Sequence, residues 1–287
     1  MAEPLLNDPL LTDGERRMED AVREAIRRWL AEARRLVLGD TTEVTAAEGP
    51  PNLDGFAASE PAWIAAVRAL IIPVIGELFG EVFARIARVA TISDQPYREA
   101  YITSVFSRLR LFPASQFEEI RLEIAEALSE GEGIDQVRDR IAARLDFDTT
   151  SGADGEQSDT RGVQGRIDTV ERELDDPDLT LGRELRSERA RLYRQLRRLQ
   201  QGWEWKARRI ARTETLGSLN GGAYAAAVAS SEALGEPLWK RWLSTDDPRT
   251  RPTHVAADGQ LRPLNQRFLV GGALLAHPGD PTAPPEE

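Results

Sequence analysis

Along most of this chain the large apolar residues return every third or fourth position, the period of one face of an α-helix. No other feature of the sequence narrows the fold as much. Met18, Val22, Ala25, Ile26, Trp29, Ala33 and Val37 form one such stripe. Thr12, with Glu15 three positions on, has the spacing of a capping box at its start, and Gly39 closes it. Ser59 with Pro61 predicts a second start, leading through Trp63, Ile64, Val67, Leu70 and Ile71 to a kink at Pro73. Val74, Ile75, Leu78, Phe79, Val82, Phe83 and Ile86 continue it, apolar on most faces, as expected at the centre of a bundle. Ser93 or Asp94 opens a helix through Tyr97, Tyr101, Val105 and Leu109, with Pro113 at its end. Two more helices read over 114–128 and 134–145, parted by Gly131 and Gly133.

The punctuation between stripes predicts four regions. Residues 1–58 hold the first amphipathic helix and a linker rich in Thr, Ala and Gly around Pro50-Pro51; residues 59–147 form a helical bundle. Residues 148–201 read as an insertion. Its first part, 148–165, is rich in Thr, Ser, Gly and Asp and predicts a mobile loop, and Ile167, Val170 and Leu174 mark a short helix ended by Asp175-Asp176-Pro177-Asp178. Leu185, Leu192 and Leu199 then recur every seven residues, thickened by Leu181 and Leu196, the seam of an antiparallel helical hairpin. Residues 202–287 begin with a helix from Trp203 through Ile210, Thr213, Leu216 and Leu219. It passes through Gly221-Gly222 and resumes in an Ala-rich run, where small residues permit close helix contact, and gives way to short strands over 240–243 and 267–270 and an extended end over 278–287. The expected fold class is mainly α: a helical bundle with an inserted antiparallel helical hairpin and a small C-terminal α+β module.

Composition agrees. With 287 residues, 41% apolar and 30% charged, the chain is long enough for a sizeable core and is neither wholly disordered nor collagenous. Aromatics at 6% argue against an all-β sandwich or barrel. The most apolar stretch, 61–80, carries Arg68, Glu77 and Pro73, and reads as a buried helix pair rather than a membrane span, so no membrane partner is expected. The start of the chain lacks the basic and apolar pattern of a signal peptide. No cysteine is present, which excludes a disulfide framework, a thiolate nucleophile and a Cys-ligated zinc within this sequence.

The net charge of −11 is unevenly spread. Residues 183–212 carry eleven Arg or Lys against three Glu, a local +8 that leaves −19 for the remainder. Arg189, Arg191, Arg194, Arg197, Arg198, Arg208 and Arg209 are candidates to track phosphates or an acidic partner, with Tyr193, Trp203 and Trp205 available to stack on bases. The competing reading is a solvated coiled-coil face paired with acidic helices, which the weakness of charge runs as a signal favours. Arg208 and Arg212 lie one helical turn apart, so both can address one anionic partner or form ordinary salt bridges. A second cluster, Asp246, Asp247, His254 and Asp258 with Arg249 and Arg251, supplies carboxylates and an imidazole for a metal-dependent hydrolase built on Asp247, His254 and Asp258. The same residues equally suit a loop fixed by side-chain hydrogen bonds and ion pairs, and that reading is preferred, with no cofactor or metal expected. Gly221-Gly222 and Gly271-Gly272 match neither a P-loop nor a dinucleotide fingerprint.

Four motifs in order carry a resemblance: Ile210-Ala-Arg-Thr-Glu-Thr, then Trp242 through Asp247, Arg249 and Arg251 to His254, then Asp258-Gly259-Gln, and finally Phe268-Leu-Val-Gly-Gly with Pro278-Gly279-Asp280-Pro281. The series resembles the C-terminal domain of phage Mu F-like minor head proteins, the head morphogenesis family of tailed phages, and residues 133–145 resemble the helix that precedes it there. The likeness implies a non-enzymatic virion protein of few copies, made in the host cytoplasm and lodged in the head interior or at the portal vertex. Portal protein, coat or scaffolding protein and double-stranded DNA are its implied partners. It also implies structural roles for Arg212, Thr213, Glu214, Trp242, Asp247, Arg249, Arg251, His254, Asp258, Gly259, Phe268, Pro278, Gly279, Asp280 and Pro281. A protein-only scaffold adaptor is a further alternative. Two departures stand out: the family's Asn-Cys-Arg-Cys does not occur here, and 148–201 intervenes before the Arg-Thr-Glu helix.

Overall fold

The helical period is realised along the chain. The computed structural model describes residues 9–39, 51–147, 156–174, 182–200, 202–244 and 250–283, with the side chains of 156–162, 182–184, 194 and 196–200 outside the description. It is 74% helical with a few short antiparallel strands, which makes it mainly α with a small C-terminal α+β module.

Helix α1 runs Pro9–Leu38. It already includes Pro9, three residues before the expected cap. Thr12 therefore lies inside the helix. Gly39 ends it with φ +88°. Within the expected linker, Asp54–Ala58 forms a short helix, α2. Ser59 is not a free cap: its hydroxyl is buried, donating to Phe56 C=O at 2.7 Å and accepting from Trp29 Nε1 at 2.8 Å. Helix α3, Glu60–Ala66, runs into a π turn over Val67–Ile71 and on into α4, Ile72–Ile86. The expected kink at Pro73 is taken up by this widened turn, since proline cannot donate and its ring crowds the carbonyl four residues back. The helical run Asp54–Ile86 is long and apolar enough to cross a membrane by length and composition alone; 44% of its most apolar window is buried within the protein.

Helices α5, Gln95–Leu109, α6, Phe112–Ser129, and α7, Ile134–Arg144, follow. Pro113 sits in the first turn of α6 and opens a helix rather than closing one. The expected loop over 148–165 is corrected in part: helix α8 covers Glu156–Leu174, and Gly165 lies within it. It pairs with α9, Gly182–Gln200, and the seam is Val163, Ile167, Val170 and Leu192, with Leu174 and Leu185 half-buried beside them. Asp175 to Asp178 and Leu181 lie outside the described residues, as do the side chains of Leu196 and Leu199. Helix α10, Trp203–Leu234, is continuous through Gly221-Gly222. The module that follows contains β1, Trp239–Arg241, helix α11, Pro252–Ala257, β2, Leu261–Pro263, β3, Phe268–Val270, and β4, Ala273–Leu275. Strand β1 pairs antiparallel with β2, and β3 with β4. Residues 278–283 fold as turns, not as the extended end expected from composition.

The chain divides into two units. One holds Met1–Ala25, Glu60–Gln116 and Ile210–Glu287; the other holds Ile26–Ser59 and Phe117–Arg209. The first is centred on Trp63, Ile71, Ile75, Leu78, Phe79 and Val105, all at most 1% exposed. Trp63 Nε1 donates to Leu109 C=O at 2.8 Å, fixing the indole among apolar neighbours without an orphaned donor. The second is built around Trp29 and Trp203, whose rings meet edge to face at 5.7 Å, with Trp203 Nε1 donating to Arg144 C=O at 2.8 Å.

Gly222 explains why α10 keeps two glycines in mid-helix: a Cβ there would stand 2.5 Å from the Phe79 carbonyl oxygen, so backbone meets backbone. Gly165 has open space around it. Opposite outcomes are expected for the same substitution. Gly222→Ala should destabilise by about 1–3 kcal/mol despite its better helix propensity, and Gly165→Ala should stabilise by about 0.5–1 kcal/mol. Urea denaturation of the two variants checks both.

Candidate functional site

The motifs singled out in the sequence converge within the first unit, on one face of α10 and on the module after it. Of Arg212-Thr213-Glu214, only Glu214 points inward, with 3% of its side chain exposed. Arg108 Nη2, from α5, donates to both of its carboxylate oxygens at 2.8 and 2.9 Å. Burial pushes the Glu214 carboxyl above the usual range, and the Arg108 guanidinium offsets part of that rise. A paired charge of this kind is costly to break, since removing one partner leaves the other buried and uncompensated. Arg212 is exposed, 3.9 Å from Glu15, and Thr213 is exposed.

One turn further along α10, Gly217 lets two groups approach that any side chain would exclude. A Cβ at Gly217 would lie 2.7 Å from Tyr101 Oη and 2.9 Å from the Gly279 carbonyl oxygen. Gly221 gives the Tyr101 ring its seat in the same way, at 2.8 Å. Tyr101 is thereby buried, 5.3 Å from the Phe79 ring, and burial together with the nearby Glu214 carboxylate pushes its phenol well above its ordinary value.

The turn that reaches Gly217 is made by the last motif. Asp280 accepts from Ala276 N–H at 2.8 Å and from the N–H and hydroxyl of Thr282 at 2.9 and 2.7 Å. Burial works against the Asp280 carboxylate, but these donors overcome it and hold its pKa below the ordinary range. Gly279 takes φ +74°, which a side chain would strain. His277 is buried between the rings of Tyr101 and Tyr224, at 6.3 and 5.7 Å, and its Nδ1 lies 3.0 Å from the Pro278 carbonyl oxygen, the geometry of an Nδ1–H donor. Burial lowers its pKa.

The middle motifs build the module itself. Trp242 is its centre, edge-on to Phe268 at 5.3 Å and to His254 at 5.5 Å, with Ala257, Val270 and Leu275 completing the core. Asp258 accepts from the Ser244 N–H at 2.7 Å, which holds its carboxyl below the usual range, and Gly259, at φ +75°, donates to Trp242 C=O. Arg251 is exposed and stands just before α11. Asp246, Asp247 and Arg249 lie outside the described residues. Of the hydrolase candidates, His254 therefore packs on an indole while Asp258 pins a turn. Among the described residues no group of three or more His, Asp or Glu is placed to hold a metal ion.

Several residues that matter here had no role assigned to them from the sequence. Gln260, quoted only as the end of the Asp258-Gly259-Gln motif, reads both backbone groups of Leu269, donating to its C=O at 2.7 Å and accepting from its N–H at 3.2 Å, so that one side chain stands in for a strand neighbour along β3. Lys240 Nζ donates to Ala276 C=O at 2.8 Å and sits 4.6 Å from the Tyr224 ring and 4.9 Å from that of Phe268. Burial brings its pKa down to about 8. Arg108 and Tyr101 belong to distant helical stripes, and only the fold brings them to Glu214 and Gly217.

The basic stretch is partly internal. Trp203 is fully buried and is unavailable to stack on bases, because its ring fills the second unit's core. Lys206 is buried too, 2.6 Å from Glu119. On the hairpin, Arg189 and Arg191 are exposed, Arg191 lies 3.5 Å and Arg166 3.0 Å from Glu188, and Tyr193 donates to Glu171 at 2.8 Å. Arg208 is half-buried, and Arg209 is exposed over the Trp205 ring at 5.3 Å. The side chains of Arg194, Arg197 and Arg198 lie outside the description.

No family model, no curated protein and no solved structure matches this chain.

The seam has a pH signature. His277 has a folded pKa below its unfolded value, so its share of stability is complete above the ordinary imidazole value of about 6.5 and is lost as the pH falls through the folded one. Asp280 acts in the same sense at lower pH. The melting temperature should fall on acidification from about pH 7.5 to 5, and His277→Gln should flatten that fall. An unchanged slope in the variant, followed by circular dichroism, would remove the assignment.

Proposed function

We propose that this chain is a minor structural protein of a tailed-phage head. It works in head morphogenesis at the portal vertex and turns over no substrate. The observation that carries the reading is the contact between Gly217 and Gly279: the turn of the last motif of the Mu F-like series packs on α10 two residues past the first. The residues between them are spent on holding the knob together. Trp242, Phe268 and His254 fill its core, Asp258 and Asp280 tie turns, and Glu214 binds the supporting helix through Arg108. In this reading the module is an architectural piece, portal, coat or scaffolding subunits are its protein partners, and no membrane is involved.

The exposed arginines of the hairpin supply the second element of the reading, contact with packaged double-stranded DNA. Arg189 and Arg191 face solvent on α9 beside the salt-bridged Glu188, a surface suited to phosphate oxygens rather than to base edges.

Quantitative mass spectrometry of purified virions made by the phage that encodes this chain tests the assignment. The protein is expected there at far fewer copies than the coat protein, and in heads before the tail joins. Its absence from particles and head intermediates would overturn it. DNA contact has its own test in a salt titration of duplex binding. Neutralising Arg189, Arg191, Arg194, Arg197 and Arg198 together should weaken binding and reduce the slope of affinity against salt by roughly one per lost phosphate contact. An unaltered slope would leave the protein-only adaptor as the form of the proposal that stands.

A further inference from the structure

Beneath the N-terminal half of α5 the first unit carries an open groove of about 580 Å3. Its apolar surface comes from Gly76, Gly80, Phe83 and Ala84 of α4 and from Ile92 in the following loop. Gly76 and Gly80 lie against the side chains of Arg98, Asp94 and Ile102, so the open end of the groove is at the exposed Ala84, with Ala87, Val89 and Ile92 beside it. Glu77, Glu81 and Asp94 form its lip, answered within the chain by Arg17, which pairs with Glu77 and lies 3.7 Å from Glu81, and by Arg98, 3.1 Å from Asp94. Three carboxylates against two guanidinium groups leave the lip acidic.

The same unit presents a knob with the opposite character. Trp239 is 61% exposed, an unusual state for an indole, and Leu261 is 53% exposed. In the β1–β2 register Trp239 stands opposite Pro263 and Arg241 opposite Leu261, so these four side chains share the outward face, while Lys240 turns inward onto Tyr224 and Phe268. Tryptophan and arginine on a solvent-facing strand are the side chains most often found at the energetic centre of protein interfaces.

Knob and groove belong to one neighbourhood. Arg88, in the loop that lines the groove between Ala87 and Val89, donates through its backbone N–H to Ser230 Oγ at 3.0 Å and through its guanidinium to Glu236 at 2.8 Å. Trp239 follows Glu236 by three residues. A surface that carries an apolar projection with a basic flank beside an apolar recess with an acidic lip is complementary to itself. We propose that two copies of this chain associate through that surface about a two-fold axis, each inserting its Trp239 indole into the Ala84–Val89–Ile92 end of the other's groove, with Arg241 reaching the partner's acidic lip. The groove volume accommodates an indole, and burying two of them removes on the order of 400 Å2 of aromatic surface from water.

Sedimentation equilibrium of the full chain from about 1 to 100 μM tests this. The wild type should pass from monomer to dimer within that range, more weakly at high salt. Trp239→Ala removes the knob and Ala84→Arg fills the groove at an exposed helix position; each should raise the dissociation constant about tenfold or more, with thermal melts showing that both variants remain folded. An equimolar mixture of the two variants restores one intact knob-and-groove contact per pair and should form a heterodimer that neither variant forms alone. A wild type that stays monomeric throughout overturns the proposal. So does an association constant indifferent to both substitutions, an assembly that grows beyond two copies, or a mixture that behaves like its components.

Discussion

The close approach of backbone to α10 is the constraint on which the first unit depends. Gly217, Gly221 and Gly222 present a strip of that helix with no Cβ, and into it fit the Gly279 turn, the Tyr101 ring and the Phe79 carbonyl. A helix tolerates such a strip only where packing returns more than the propensity that glycine forfeits, about 1 kcal/mol per residue. Here the return is contact between elements far apart in sequence. With the strip in place, Tyr101 is buried, His277 is enclosed between two tyrosines, and Glu214 is dry enough that only the Arg108 guanidinium keeps its carboxylate tolerable.

Charge is used in this molecule chiefly for internal fixation. Asp280 and Asp258 satisfy backbone donors at turns that glycine at positive φ makes possible, and Gln260 completes a strand edge with an amide. Lys240 and Lys206 are held against aromatic rings and internal acceptors. A protein whose polar groups are occupied in this way presents its surface chemistry elsewhere, on the arginines of the hairpin and on the apolar side chains of the module, where Trp239, Leu261, Leu269 and Leu274 are each more than half exposed.

Much of the secondary structure was legible, and the misses have definite causes. Met18 to Val37, Val105 and Leu109, and the Leu185–Leu192 seam fell where the period put them, because a stripe needs only a helix and something apolar to cover it. The capping reading of Thr12 with Glu15 failed because the helix already includes Pro9, three residues earlier. Ser59 was given a local role, yet its hydroxyl serves Trp29, thirty positions away. Loop composition hid only the first part of the helix over Glu156–Leu174, up to Gly165, which is tolerated on an exposed face while Val163, Ile167 and Val170 carry the packing. Trp203 looked like a stacking platform because an aromatic among arginines suggests nucleic acid; its indole is instead the centre of a core.

By itself the sequence determined the helical class, the hairpin seam, the position of the C-terminal module and the helix-ending Gly39, since periodicity and backbone preference act over a few residues and leave a readable trace. Tertiary structure alone decided which charges would be buried, which glycines were seats for other elements, and that Arg108, Tyr101, Glu214 and His277 would share one seam. The reason is that a side chain's environment is set by the elements packed against it. Those elements often lie a hundred residues or more away, as Glu214 lies 106 positions from Arg108, and no local pattern encodes the meeting.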